Sequence, residues 1–161
     1  MNRMRATDEQ FVEKLGRFFE AEGAPRTAGR LLGLMLLTPG ELALDEIAER
    51  LQVSKASVST NARQMEVGGV LERCSHPGDR RDYYRIPHDI AARLLDRHLD
   101  RIRRLNQLLE EGAATEAALD ERIGERFRRL ESFQACAAGA LESAVRGIGA
   151  AAGAGEGGDV S

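Results

Sequence analysis

The sequence predicts a mainly α-helical chain that carries one small β-hairpin, and three observations say so. Apolar residues recur at spacings of three and four along most of the 161 residues, the period of an amphipathic helix. Aromatic residues make up only 4%, with no Trp, which suits leucine-rich helical stripes and not a β-sandwich. One stretch alone, Val70 to Ile86, reads as strand, turn and returning strand. A chain of this length buries a real core without metals or disulfides.

The elements follow in order. A first helix is expected from about Thr7, where Thr7 and Gln10 have capping-box spacing, with Phe11, Leu15, Phe18 and Phe19 on one face. Gly23 ends it, and Pro25 suits the first turn of a second helix rich in Leu31, Leu32, Leu34, Met35, Leu36 and Leu37. Thr38-Pro39-Gly40 stops that helix. A short third helix covers about Leu44 to Leu51, with Asp45 and Glu46 in the first turn, where the helix dipole favours acids. Gln52-Val53 is a tight turn, and Ser54 is a good N-cap for a fourth helix to about Val67. Val58, Ala62 and Met65 form its inner stripe, and Gly68-Gly69 ends it. The hairpin then runs from Val70 to Cys74, turns at His76-Pro77-Gly78-Asp79, and returns from Tyr83 to Ile86.

Pro87 opens a long helix to about Glu110, lined by Leu95, Leu99, Ile102, Leu105 and Leu109. Gly112 breaks it, and Thr115 is placed to cap the last helix. That helix shows Leu119, Ile123, Phe127, Leu130, Phe133, Ala137, Leu141 and Val145, a stripe long enough to need a partner surface. The tail from Gly147 to Ser161 contains six Gly and reads as disordered. The resulting division is 1–24 as an N-terminal dimerisation helix, 25–87 as the nucleic-acid-binding part, 88–146 as a helical dimerisation region, and 147–161 as the tail.

The functional signal lies in the order short helix, tight turn, capped helix, hairpin. A helix-turn-helix lets its second helix enter the DNA major groove while the first braces it. The outer face of the fourth helix offers Ser54, Lys55, Ser57, Ser59, Thr60, Asn61, Arg63 and Gln64, the residue types that reach phosphates and base edges. Asn61 and Arg63 are expected at bases, Lys55 and Ser57 at phosphates. The formal net charge is −3, yet from Ser54 to Arg85 six cations outnumber four acids. Arg73 lies on the hairpin, and Arg80 and Arg81 at its tip fit a minor groove or a phosphate clamp. Asp79 would repel DNA unless it orients one of those arginines.

These residues resemble the MarR superfamily. The resemblance rests on Leu44-Asp45-Glu46-Ile47-Ala48-Glu49-Arg50-Leu51 followed by Val53-Ser54-Lys55-Ala56-Ser57-Val58-Ser59, on Gly69-Val70-Leu71-Glu72-Arg73, and on Pro77-Gly78-Asp79-Arg80-Arg81, which fits a Pro-x-Asp-Arg-Arg wing. Phe11 to Arg17 and Gly23-Ala24-Pro25-Arg26 resemble the GbsR-like branch. The resemblance covers roughly residues 8 to 110. It implies a winged helix-turn-helix with long C-terminal dimerisation helices. It also implies a homodimer on a pseudo-palindromic double-stranded operator, and regulation by a small-molecule effector; a dimer bound over a promoter blocks polymerase, so repression is the expected sign. Phe11, Leu15, Phe18, Leu119, Ile123, Phe127, Leu130, Phe133 and Leu141 are then the expected dimerisation residues.

Other classes are weaker. Cys74, His76, His88 and His98 are too scattered for a zinc site, so no metal is expected. Cys136, among Phe133, Ala137 and Ala138, reads as core and not as a redox switch. Gly147-Ile148-Gly149 follows no strand and makes no dinucleotide loop. No catalytic constellation stands out, so neither enzyme activity nor a cofactor is expected. Two cysteines and an N-terminus without an apolar signal region fit the cytoplasm. The longest uncharged apolar stretch, Leu31 to Gly40, is far short of a membrane span. The rival reading is a winged helix that binds protein and not DNA.

Overall fold

A computed structural model describes the backbone of residues 5–155 and side chains through Gly147. It forms two compact units, one up to Ile90 and one from Ala91.

In the first unit, α1 spans Ala6–Ala21 and α2 spans Arg26–Leu36. The expected capping box does not form. The helix starts one residue before Thr7, so Thr7 lies inside it and its hydroxyl bonds Asp8 instead. Gly23 ends α1 as expected. At φ +78° it lets its own N–H reach the Glu20 carbonyl while the Ala24 N–H reaches that of Phe19. The two helices then pack with their backbones almost touching. A Cβ on Gly29 would stand 2.5 Å from the Leu15 carbonyl oxygen and 2.9 Å from the Gly16 Cα.

A strand that the sequence reading leaves out follows. β1, Glu41–Ala43, precedes α3, Leu44–Leu51, and α4, Lys55–Val67. β2, Glu72–Cys74, and β3, Tyr83–Arg85, complete a three-stranded antiparallel sheet of order β1-β3-β2. Three residues are too few to show an alternating pattern. β1 is a strand because Leu42 pairs with Tyr84 on the central β3, which pairs on its other side with Arg73. The core joins these elements: Val12, Leu31, Leu34, Met35, Leu42, Ile47, Leu51, Val58, Leu71 and Tyr84 are all buried.

The turn between α3 and α4 needs a left-handed residue, and Gln52 supplies it at φ 54°. Its N–H reaches the Glu49 carbonyl, and that of Val53 reaches the Ala48 carbonyl. Ser54 caps α4 as expected, its Oγ accepting from the Ser57 N–H at 3.2 Å. Ser54→Ala should lower stability by about 1 kcal/mol, read by urea denaturation, whereas Ser54→Asp should keep it. Gly69, at φ +70°, closes the far end of α4, its N–H reaching the Glu66 carbonyl while that of Val70 reaches the Met65 carbonyl.

In the second unit, α5 spans Ile90–Ala113, so Pro87 is buried in the preceding turn and does not open the helix. Gly112 does not break it. That position stays helical and lies against the Phe127 ring, where a Cβ would come within 2.6 Å. Thr115 does not cap the last helix. It precedes a 3-10 turn, Glu116–Leu119, and its hydroxyl donates to the Gly112 carbonyl. The cap of α6, Glu121–Gly155, is Asp120, whose Oδ1 accepts from the N–H groups of Arg122 and Ile123. α6 continues past Gly147, where the sequence reading ends it, to Gly155. The rest of the expected tail, 156–161, lies outside the described residues.

Candidate nucleic-acid interface

The sequence places an apolar stripe on α4, and that stripe fixes which side chains remain outside. Val58, Ala62 and Met65 are buried, and Ser54, Lys55, Thr60, Arg63 and Gln64 are exposed. Ser57 and Ser59 are half-exposed. Asn61 departs from expectation, being only 6% exposed. It sits three residues after Val58 and four before Met65, which puts it on the inner stripe. Its Nδ2 donates to the Ser57 carbonyl at 2.8 Å, and its Oδ1 is buried without a partner among the described residues. The outer face therefore consists of hydroxyls, Gln64 and the cations Lys55 and Arg63, with one acid, Glu66, exposed at its far end.

The hairpin loop is organised around Asp79. Its Oδ1 accepts the Arg81 backbone N–H at 2.9 Å, and the two carboxylate oxygens accept Arg81 Nε and Nη2, the shortest at 2.8 Å. The Tyr83 hydroxyl donates to the same carboxylate at 2.8 Å, and the Arg81 guanidinium lies over the Tyr83 ring, 5.0 Å from its centre. Such a fork is the strong geometry for an arginine–carboxylate pair. The Arg81 guanidinium and backbone N–H, then the Tyr83 hydroxyl, hold the Asp79 carboxyl well below the usual carboxylate range. Hydrogen bonding to Asp79 raises the Tyr83 phenol above its ordinary value. Asp79 is thus bound to Arg81 and not to Arg80. Arg80 is exposed and makes no ion pair among the described residues. Arg73 is exposed on β2, its Nε 3.6 Å from Asp82 Oδ1.

The first turn of α3 ties the two parts together. Glu46 Oε1 lies 3.7 Å from Arg81 Nη1, and Asp45 Oδ2 lies 4.0 Å from Lys55 Nζ at the start of α4. The Leu44 N–H also donates to the Asp82 carbonyl at 2.9 Å. The sequence reading assigns Asp45 and Glu46 only to the helix dipole, because their partners lie on other elements. In the hairpin loop, His76 Nε2 contacts Glu41 Oε1 of β1, and its ring meets the Tyr83 ring edge-on.

The cysteines separate. Cys74 is half-buried, and burial pushes its thiol up, away from the thiolate that redox chemistry requires. Cys136 is exposed, which corrects its expected place in the core: it lies off the stripe of Ile123, Phe127 and Leu141. Among the described residues no group of three His, Cys, Asp or Glu is placed to hold a metal ion. No helix there is long and apolar enough to cross a membrane.

The expected dimerisation residues are spread over three elements. Phe11 and Phe18 on α1 are 40% and 59% exposed, with Leu15 half-buried between them. Leu119, 85% exposed, belongs to the 3-10 turn and not to the stripe of α6. On α6, Leu130 and Phe133 are exposed, and Ile123, Phe127 and Leu141 are half-buried.

Known proteins match this arrangement. The model of the MarR family matches residues 22–82, from the end of α1 into the hairpin loop. The HTH-type transcriptional regulator MmpR5 of Mycobacterium tuberculosis (strain ATCC 25618 / H37Rv) is 36% identical over 127 residues, covering 78% of this chain and 74% of that protein. A solved crystal structure of a transcriptional regulator superposes with a TM-score of 0.83 at 28% identity, covering 89% of this chain and 98% of that one. The likeness to the GbsR-like branch is slighter: the HTH-type transcriptional repressor GbsR of Bacillus subtilis (strain 168) is 31% identical over 70 residues, 44% of this chain and 38% of that protein. By its helix-turn-helix, its hairpin wing and these relatives, the chain belongs to the MarR family of DNA-binding transcriptional regulators.

Proposed function

We propose that the chain acts as a homodimeric repressor on a pseudo-palindromic operator, with α4 in the major groove and Arg80 of the wing on the flanking backbone or minor groove. The observation that carries this reading is the exposed hydroxyl-and-cation face of α4, set beside the wing by the contacts of Asp45 and Glu46. On that face Arg63 is the side chain able to fork onto a guanine edge. Lys55, Ser57, Ser59 and Thr60, with Ser54 at the cap, serve phosphates and fix register. Arg73, half-neutralised by Asp82, adds a weaker cation beside the wing. A small-molecule effector of the kind the family resemblance implies would act by shifting the population of head spacings. Repression then follows from occupancy: a dimer seated over a promoter excludes polymerase.

Selection of duplexes from a random pool tests the reading. Two related half-sites separated by about one helical turn should be enriched. On the enriched duplex, Arg63→Ala should cost about 1–3 kcal/mol of binding, and far less on unrelated DNA. Equal losses on both would mean that Arg63 only positions the protein.

The homodimer is supported by exposed apolar side chains within each unit, Phe11 and Phe18 in one, Leu108, Leu119, Leu130 and Phe133 in the other. Monomeric proteins rarely leave large contiguous patches of such groups in water. Light scattering at micromolar concentration should return twice the chain mass, and Phe133→Glu should shift the weight toward the monomer. A stable wild-type monomer would remove the palindromic operator from the reading.

A further inference from the structure

Arg30, on α2, holds two elements at once. Its side chain is 22% exposed, and its guanidinium points in two directions. Nε lies 2.6 Å from Glu13 Oε1 on α1, an ion pair whose N–H is not aligned for a hydrogen bond. Nη2 donates to the Leu51 carbonyl at 2.9 Å, on the last residue of α3. That carbonyl belongs to the negative end of a helix, where a cation is favoured and an intrahelical partner is missing. The next residue is Gln52, the left-handed pivot of the turn into α4.

The far end of this connection is firmly held. Glu13 Oε2 also accepts Arg26 Nη2 at 2.6 Å, so the carboxylate is gripped by two arginines of α2. Those two arginines, Arg26 first, keep the Glu13 carboxyl below its ordinary range against a burial that would raise it. Between the helices, a Cβ on Gly16 would come within 2.6 Å of the Arg30 side chain, and one on Gly33 within 3.1 Å of the Val12 Cα. α1 and α2 have no slack to slide, and Arg30 crosses directly over Gly16.

We infer that Arg30 is a positioning residue that couples α1 to the helix-turn-helix pivot, so that a displacement of α1 is passed through Glu13, Arg30 and the Leu51 carbonyl to the seating of α4. The consequence for DNA rests on the function proposed above; the coupling itself does not. Only a planar guanidinium serves both partners. The ammonium of a lysine is a point charge without the fork. The exposed apolar residues of α1, Phe11 and Phe18, are where a displacement would enter.

Amide hydrogen exchange decides it, on the full chain with Glu13→Gln and with Arg30→Lys. The amides of Gln52 and Val53, bonded to Glu49 and Ala48, report the pivot. Both variants should speed exchange at these two amides roughly tenfold, the loss expected for a hydrogen bond to a charged group. Exchange at the core amides of Leu31 and Met65 should change little. On a duplex enriched by the wild-type protein, both variants should bind several-fold more weakly with an unchanged salt dependence, since neither residue is assigned a phosphate. Acceleration of all amides together would show a merely structural ion pair and overturn the proposal. Unchanged exchange at Gln52 and Val53 in Glu13→Gln would overturn it as well. If the wild-type protein enriches no duplex, the DNA reading falls while the exchange experiment still decides the coupling.

Discussion

Asp79→Ala should weaken operator binding on the order of tenfold, even though it removes a negative charge from the surface proposed to face DNA. Two effects oppose each other. Relief of repulsion between one exposed carboxylate and a phosphate about 10 Å away, screened by salt, is worth less than about a factor of two. Against it stands order. Asp79 accepts three side-chain hydrogen bonds and one backbone N–H from Arg81, plus the Tyr83 hydroxyl. Without it the loop that carries Arg80 loses its Arg81 and Tyr83 anchors, and seating Arg80 on DNA must re-order both side chains, each costing roughly a factor of two to ten. The ordering effect is the larger, so affinity falls. Titration of the enriched duplex with wild-type and Asp79→Ala proteins measures it, and tighter binding would make Asp79 a plain repulsive charge. Arg80→Ala provides the contrast. With no carboxylate partner among the described residues, it should lower the salt slope by about one unit while leaving the loop ordered.

The pH dependence of this pair follows from the sign of the shift. The folded carboxyl of Asp79 lies below its ordinary value, so the stability it lends is fully present above the unfolded carboxylate range. It is lost only as pH falls through the depressed folded value. From neutrality down to about pH 4 the loop should therefore keep its order, and any change in DNA affinity over that interval has another source.

Gly29→Ala should destabilise the first unit by about 2 kcal/mol or more. Propensity alone gives the opposite sign, since Ala is favoured over Gly in a helix interior by about 1 kcal/mol. The added methyl would meet the Leu15 carbonyl oxygen at 2.5 Å and the Gly16 Cα at 2.9 Å, both backbone atoms that cannot swing away. α1 would have to lift from α2, opening the core at Val12 and Leu31. For a chain of this size the midpoint of thermal unfolding should drop by roughly 4–8 °C. Gly139→Ala on α6 is the control. A Cβ there meets nothing within 4 Å, so the same substitution should be neutral or stabilising. If both variants behave alike, close backbone packing between α1 and α2 is not what retains Gly29.

Local chemistry explains what was legible in the amino-acid sequence. The helices α2, α3 and α4, the Ser54 cap, the glycine stops at Gly23 and after Val67, and the hairpin are written in periodicity, capping and turn residues, each of which acts within a few positions. The MarR resemblance reads the same short stretches. Asn61 shows the limit of a residue-type argument: its amide chemistry suggested base readout, while its spacing from Val58 and Met65 had already placed it inside. Long-range pairing decided the rest. β1 exists only against β3, and Gly112 remains helical because the Phe127 ring packs on it. Arg81 and not Arg80 takes Asp79 because the Tyr83 hydroxyl and Glu46 close on the same side of the loop. Arg30 finds the Leu51 carbonyl across 21 positions of chain. Contacts of that separation depend on where the backbone of another element lies, and this is set by the packing of the whole core and not by any window of sequence.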